Sequence, residues 1–381
     1  MAIERQLGTE NNPDIMVTSS AVEVFPEPSR SDEIRNAAQL LVSEENILLD
    51  DEQFEDQPPE MSFSANLAEV VEENILGKLA SDILSSINQD KESRSDWEKT
   101  YTDGLKYLGM KFDEGRSQPF EGSSGVIHPI LAEAVTQFQA QAYKEMLPAK
   151  GPVKTQIIGA RTVETETQAD RVQEFMNFYI MNVMKDYDPE MDMLLFYLPL
   201  AGSAFKKVYY DNVLNRAISK FIAPEDLIVP YEASDLSSAE RVTHAISMSV
   251  NEIKKQQLSG FYIDADISEN SYDGDESDVE AEIDKLQGIK ASYAEDRDHI
   301  VYEVHTILDL QGFEDAGEDG EPTGLKLPYI VTIDEPSERV LSIRRNYNEG
   351  DPYANKINFF VQYKFLPGLG FYGLGLSHMI G

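Results

Sequence analysis

The sequence predicts an α+β protein in which N-terminal helices pack on antiparallel sheets, and three observations carry that reading. Apolar residues recur every fourth position at Leu67, Val71, Ile75, Leu79, Ile83 and Ile87, the mark of one buried helix stripe. After Gly202 the period changes to short β-branched or aromatic runs separated by turn residues, the pattern of strands. The hydrophobic fraction of 41% over 381 residues supplies a substantial core, with length for two or three compact units.

The elements follow in order. Residues 1–60 are acidic, proline-scattered and poor in aromatics, so they cannot bury enough surface to offset the entropy of ordering and read as a disordered acidic arm. One short apolar patch in it, Ala38 to Leu41 with Ile47 to Leu49, suits a helix formed on a partner. Ser64 is available to cap the first helix. A second helix runs from Ser93 to Leu108, with Trp97, Tyr101, Leu105 and Leu108 on one face and Gly109 at its end. Arg116 to Gly125 is a Gly/Ser/Pro-rich loop, and Pro129 to Leu147 a long helix stopped by Pro148 to Pro152. Val153 to Ile158 reads as a strand, followed by helices from Glu164 to Lys185 and Pro189 to Leu198.

Phe205 to Tyr210, Ala217 to Ile222, Leu227 to Val229 and Thr243 to Ser249 read as one antiparallel sheet covered on one face by the upstream helices. Residues 261–298 form an acidic, exposed insertion with an amphipathic helix from Asp278 to Ile289. Strands resume at Ile300 to Leu308, Tyr329 to Ile333, Val340 to Arg344 and Phe359 to Phe365. The expected organisation is thus an arm over 1–60, a helical and β region over 61–260, the insertion over 261–298, a β-rich region over 299–366, and a glycine-rich joint opening a helix over 367–381.

Charge narrows the function classes. There are 69 acidic against 32 basic residues, a formal net charge of −37, opposite to what tight wrapping of a phosphate backbone requires. Two segments create this field: residues 1–60 carry −12 and residues 261–321 carry −17, leaving −8 for the rest. With no cysteine, disulfides, thiolate metal sites and thiol nucleophiles are excluded. The most apolar run, Met191 to Phe205, is interrupted by Asp192, Pro199 and Gly202, so neither a signal peptide nor a membrane span is expected.

No constellation of residues points to catalysis. His128, His244, His299, His305 and His378 lack metal-ligand spacing, and the aspartates from Asp264 to Asp278 do not fit a calcium loop. No G-x-S-x-G elbow or Walker-type loop occurs. Lys206, Lys207, Arg344 and Arg345 form only short basic pairs, read as exposed strand-edge charge rather than a phosphate track. Pro367-Gly-Leu-Gly-Phe-Tyr-Gly-Leu-Gly375 does contain a literal G-x-G-x-x-G at Gly368, Gly370 and Gly373. Bulky Phe371 and Tyr372 stand where a phosphate would approach, and no crossover unit surrounds it. Pro367, Gly368, Gly370, Gly373 and Gly375 therefore read as a flexible strand-to-helix joint, glycine being tolerant of positive φ. No cofactor, metal or catalytic residue is expected.

Four stretches resemble the portal, or head–tail connector, proteins of tailed bacteriophages, particularly the long portals of short-tailed phages. Trp97 to Gly109 with Ser117-Gln-Pro-Phe-Glu-Gly-Ser-Ser-Gly-Val-Ile-His-Pro129 is similar to the family's N-terminal helical region. Ala201-Gly-Ser-Ala-Phe-Lys-Lys-Val-Tyr-Tyr-Asp211 with Ile222-Ala-Pro-Glu-Asp-Leu-Ile-Val229 resembles its wing sheet. Pro328 to Asp334 with Val340 to Arg345 resembles its later β-hairpin, and Phe359 to Ser377 its strand, glycine-rich joint and helix start. The resemblance covers about residue 62 onward. Portal chains continue past this joint into channel helices and a crown, so the sequence reads as an N-terminal fragment with those parts largely missing.

The resemblance implies a non-enzymatic subunit of a closed ring, a dodecamer, at one capsid vertex of the virion, assembled in the host cytoplasm. Double-stranded DNA would be packaged and ejected through it without tight binding. Implied partners are further copies of itself, the terminase large subunit, capsid or scaffold protein and a tail adaptor, with no membrane. Two alternatives differ in class. A head–tail adaptor or scaffold would lack the Phe205 to Ser249 sheet, and a nucleotide-cofactor enzyme would use Gly368, Gly370 and Gly373.

Overall fold

Strand β1 (Ser203–Asp211) sits between two partners that lie far apart in sequence. It pairs antiparallel with β2 (Arg216–Ile222), Phe205 opposite Ile222, and on its other side with β8 (Phe360–Lys364), Phe205 opposite Gln362. A second antiparallel sheet runs β3 (Leu227–Ile228), β4 (Arg241–Met248), β5 (His299–Leu308), β6 (Leu327–Asp334) and β7 (Arg339–Arg345) in that order. The computed structural model describes residues 62–108, 129–267, 277–288, 298–315 and 323–380. They belong to one compact unit, Met61–Gly381, a mixed α+β fold with helices and two antiparallel sheets. The arm, the Arg116 to Gly125 loop and His128 lie outside the described residues.

The helices are α1 (Glu73–Ser93), α2 (Ser95–Leu108), α3 (Ile130–Met146), α4 (Val163–Phe178), α5 (Tyr187–Ala201), α6 (Val250–Leu258), α7 (Asp278–Gln287) and α8 (Leu376–Ile380). Alternation along β1 assigns the layers. Ala204 and Lys206 face α5, where Ala204 joins Met191, Leu194, Leu195, Phe221 and Leu147. Phe205 faces the opposite way, into a cluster with Trp97, Tyr101, Phe371 and Tyr372. Tyr302 and Val304 of β5 pack under α1 with Ala80, Ile83 and Ile87. Val301, on the other face of β5, meets Ile253 of α6 and Leu341.

Several expectations change. The first helix does not begin at a Ser64 cap: Asn66 caps a separate 3-10 turn, Leu67–Glu69, by accepting from Ala68 N, and α1 starts only at Glu73. Its buried stripe is Leu76, Ala80, Ile83, Ile87 and Asp90, because a strict four-residue spacing precesses around a helix with 3.6 residues per turn. Val153 to Ile158 forms no strand and pairs with none among the described residues. Its backbone is held by amide side chains of α4: Val153 N donates to Asn177 Oδ1 (2.8 Å), Asn177 Nδ2 to Val153 O (3.1 Å) and Thr155 N to Gln173 Oε1 (3.1 Å). Helix α4 has the expected period yet no buried residue.

The strands expected as one sheet divide between two, β1 and β2 in one and β3 and β4 in the other. The regions 61–260 and 299–366 are consequently interleaved, since β8 completes the first sheet and β5 continues the second. Nor is the acidic insertion simply exposed. Helix α7 carries a Ser277–Glu280 capping box and buries Val279 completely in the cluster around α2, while Tyr262 and Ile267 are buried beside α6. The unanticipated α6 is announced by its own capping box, Ser249 and Glu252.

Candidate functional site

The glycine-rich segment leaves β8 and turns back on itself. Leu374 N donates to Leu366 O at 2.9 Å, closing a loop whose tip carries the exposed Pro367 and Leu369. From there the chain enters the core. Phe371 and Tyr372 are 0% exposed; Phe371 stacks parallel to Phe205, and Tyr372 stacks on Trp97 with ring centroids 4.6 Å apart.

The glycines serve close approach rather than positive φ, which none of the four adopts. A Cβ on Gly375 would lie 2.3 Å from Leu200 O, one on Gly373 2.4 Å from Gly202 O, one on Gly370 2.4 Å from the Tyr231 ring, and one on Gly368 2.5 Å from Tyr372 O. The residue that needs positive φ is their partner Gly202, at +87°, which ends α5 and starts β1. Polar bonds fix the crossing. Gly373 N donates to Ser203 Oγ (2.7 Å), Trp97 Nε1 to Gly373 O (2.9 Å) and Ser377 Oγ to Leu200 O (2.6 Å). The joint is thus tied to α2, α5 and β1 by close backbone approach and these three hydrogen bonds. It also lacks the parallel crossover of a dinucleotide fold, since β8 runs antiparallel to β1.

Beneath Tyr372 lies a polar hub. Its hydroxyl donates to Leu227 O (2.8 Å) and accepts from Val229 N (3.1 Å) and Arg94 Nη1 (3.2 Å). Arg94, 3% exposed, also donates to the carbonyls of Pro224, Glu225 and Leu227. It thereby pins the β2–β3 connection under the joint. That connection places two carboxyls, Glu225 and Asp226, on the wall of a cavity of about 180 Å³, with Lys91, Glu98, Glu280, Tyr302 and Glu335. Burial, reinforced by Asp226, pushes Glu225 up to about 8, and burial with Glu280 pushes Asp226 to about 6. Sequence reasoning passed over this pair; the signal was two adjacent acids between the apolar runs Phe221-Ile222 and Leu227-Ile228-Val229.

The remaining ionisable residues are structural in placement. Lys207 Nζ bonds Glu303 Oε2 (2.7 Å), and His305 Nε2 lies 2.8 Å from Glu303 Oε1, joining the two sheets. Burial opposes the charge on Glu303, but the His305 hydrogen bond and the Lys207 ammonium hold it below the usual carboxylate range. Lys206 is 2% exposed under Tyr187, its ring centroid 4.5 Å away, and burial lowers it to about 8. Arg344 and Arg345 donate to the carbonyls of Ser64 and Phe63 and stack over Phe261 and Phe63. None of the four is bare strand-edge charge: β1 is a central strand, and on the edge strand β7 the arginines clamp the segment before α1.

Among the histidines, His299 bonds Asp334 at 2.9 Å with both side chains fully buried, His378 stacks on Trp97, and burial lowers His244 to about 3. Among the described residues no cluster of three or more His, Asp or Glu side chains is arranged to hold a metal ion, and no helix is long and apolar enough to cross a membrane. Compared with protein-family models and with curated proteins, the chain matches none.

Proposed function

We propose that this chain is a portal subunit: one member of a closed ring, a dodecamer by resemblance, at a single capsid vertex, through which double-stranded DNA is packaged and ejected. In this reading it docks the terminase large subunit, capsid or scaffold protein and a tail adaptor, and performs no reaction itself. The observation that carries the reading is the strand–joint–helix route from β8 to α8. The resemblance expects a sheet to hand over to a channel helix there. A joint transmitting load from a sheet to a pore-lining element has to be stiff, and the Gly202–Gly373–Gly375 crossing with its Trp97, Ser203 and Ser377 bonds supplies that stiffness.

Charge supports the same reading. A duplex sliding through a narrow opening is retarded by phosphate contacts, and a chain at −37 offers few of them. The strands that a helical adaptor or scaffold would lack are present as β1 to β4, though divided between two sheets, which favours the portal over that alternative.

Electron microscopy of protein purified from its complete reading frame tests the proposal. Closed rings with a central opening are the expected outcome, from a heterologous contact that closes on itself; particles that remain monomeric at every concentration would overturn it. Short duplex DNA should bind only weakly at physiological salt.

A further inference from the structure

Helix α4 is gripped by its polar side. The Gln173 and Asn177 amides bond the backbone of the segment that begins at Val153, and Thr155 Oγ1 donates to Ala169 O at 3.1 Å. Beside this polar stripe lies an apolar one, Val172, Phe175, Met176 and Tyr179, at the i, i+3, i+4 and i+7 positions of one helix face. No described residue covers it: Val172 is 47% exposed, Phe175 61% and the adjacent Phe178 57%. An amphipathic helix ordinarily turns its apolar stripe to the core, and here the arrangement is reversed.

The uncovered face continues beyond the helix. Phe175 lies 6.0 Å from the Tyr179 ring, whose hydroxyl accepts from Ala217 N at 2.9 Å, and Ala217 of β2 stands opposite the exposed Tyr210 of β1. At about 200 Å² for an aromatic side chain, Phe175, Phe178 and Tyr210 alone leave roughly 350 Å² uncovered. Val172, Met176 and Met181, each more than a third exposed, bring the face to the size of the largest patch on a typical monomer, about 300–600 Å² and often functional. A standard protein contact buries about 800 Å² on each partner around an apolar centre, and this face supplies such a centre.

The charge along α4 narrows what can cover it. Glu164, Glu166, Asp170 and Glu174 against Arg171 alone repel anionic lipid head groups and nucleic-acid phosphates, which favours a protein. The chain itself carries a matching surface. Between α3 and α5 runs an open groove of about 570 Å³, lined by Ala140, Tyr143 and Pro189 together with Lys144, Asp188 and Asp192, its exposed lining mostly apolar. Both signs of charge in the groove have opposites in Arg171 and Glu174 of α4. Resting on the ring proposed above, we infer that the α4 stripe is the contact between neighbouring copies of this chain, the helix of one lying in the α3–α5 groove of the next. One stripe and one groove on each chain make a heterologous contact, the kind that closes into rings.

Sedimentation velocity of the whole protein over a concentration series tests this. The wild type should associate as concentration rises, and Phe175→Glu and Ala140→Arg should each weaken association at least tenfold. Both positions are exposed, and an unchanged circular dichroism spectrum and melting temperature verify folding; Val172→Glu repeats the stripe arm where Phe175→Glu does not fold. Mixing the variants is the sharper arm. Ala140→Arg keeps an intact stripe and Phe175→Glu an intact groove, so equal amounts should form one-to-one dimers and nothing larger. A mixture that stays monomeric, or an Ala140→Arg protein that associates like the wild type, overturns the proposal. Electron micrographs separate its failure from that of the portal reading. Rings formed by Phe175→Glu as completely as by the wild type would overturn the α4 contact and leave the portal standing, whereas wild-type open chains that both variants disrupt would do the reverse. A wild type that is monomeric at every concentration overturns both.

Discussion

The indole nitrogen of Trp97 donates to the carbonyl of Gly373 at 2.9 Å while its ring stacks with Tyr372 and with His378. One side chain of α2 therefore holds the backbone and both flanks of the joint. Trp97→Phe keeps much of the ring contact and strands the Gly373 carbonyl, so it should cost about 1–3 kcal/mol. Trp97→Ala also opens a cavity and should cost about 3–5 kcal/mol. Urea denaturation of both variants checks the order; equal losses would mean that the ring packing adds nothing to the hydrogen bond.

The joint's glycines make a second test with an internal control. Gly375→Ala places a methyl against Leu200 O and Gly202 N, both backbone atoms that cannot swing aside, and should destabilise by at least about 1–3 kcal/mol. Gly77 lies exposed in the second turn of α1, and a Cβ added there would meet nothing within 4 Å. Gly77→Ala should therefore stabilise by about 0.5–1 kcal/mol. Thermal melts moving the two variants in the same direction would contradict the crossing geometry.

Stability should also depend on pH through Glu225. Its folded pKa, about 8, lies above the ordinary 4.5, so the folded chain binds the proton more tightly than the unfolded one. The resulting stabilisation is complete below the unfolded value and is lost as pH rises through the folded one. His244, lowered from 6.5 to about 3, contributes below 6.5, and Lys206, lowered from 10.5 to about 8, contributes above 8. The interval from pH 6.5 to 8 thus isolates Glu225. Across it the wild type should lose up to about 2 kcal/mol as pH rises, and Glu225→Gln should flatten the slope. A wild-type profile that is flat there would refute the assignment.

Local order was legible because it rests on spacing that neighbours in sequence decide. The Trp97, Tyr101 and Leu105 face of α2 and the eight strand runs needed only period and residue type. What was hidden depends on partners far along the chain. Nothing near Phe205 says that Gln362 will lie opposite it, and so the division of β1 to β4 between two sheets was not visible. Lys206 carries a charge yet lies beneath Tyr187, because β8 makes β1 a central strand. Glycine spacing at the joint was seen, but its purpose could be read only once Gly202, some 170 residues earlier, stood against Gly373 and Gly375. The Glu225–Asp226 cavity is hidden for the same reason: its walls come from α1, α2, α7, the β2–β3 connection and strands β3, β4 and β5.

The link between the two sheets gives the last test. Glu303 of β5 accepts from Lys207 of β1 and from His305, with Phe360 of β8 packed against the His305 ring at 4.9 Å. Removing one member leaves the others enclosed without their counter-charge, the expensive outcome for a partly buried pair. Glu303→Gln should cost about 3 kcal/mol. Lys207→Met alone leaves Glu303 with His305 as its remaining partner, and should cost somewhat less. The double variant Lys207→Met with Glu303→Gln removes the charges together and should cost less than the two single losses combined, a coupling of about 1–3 kcal/mol in a double-mutant cycle. Additive losses would show that the sheets are held by the Phe360 and His305 packing alone. The coupling would instead make this trio the polar fastening that fixes how the sheet carrying β8, and hence the joint, is set against the rest of the fold.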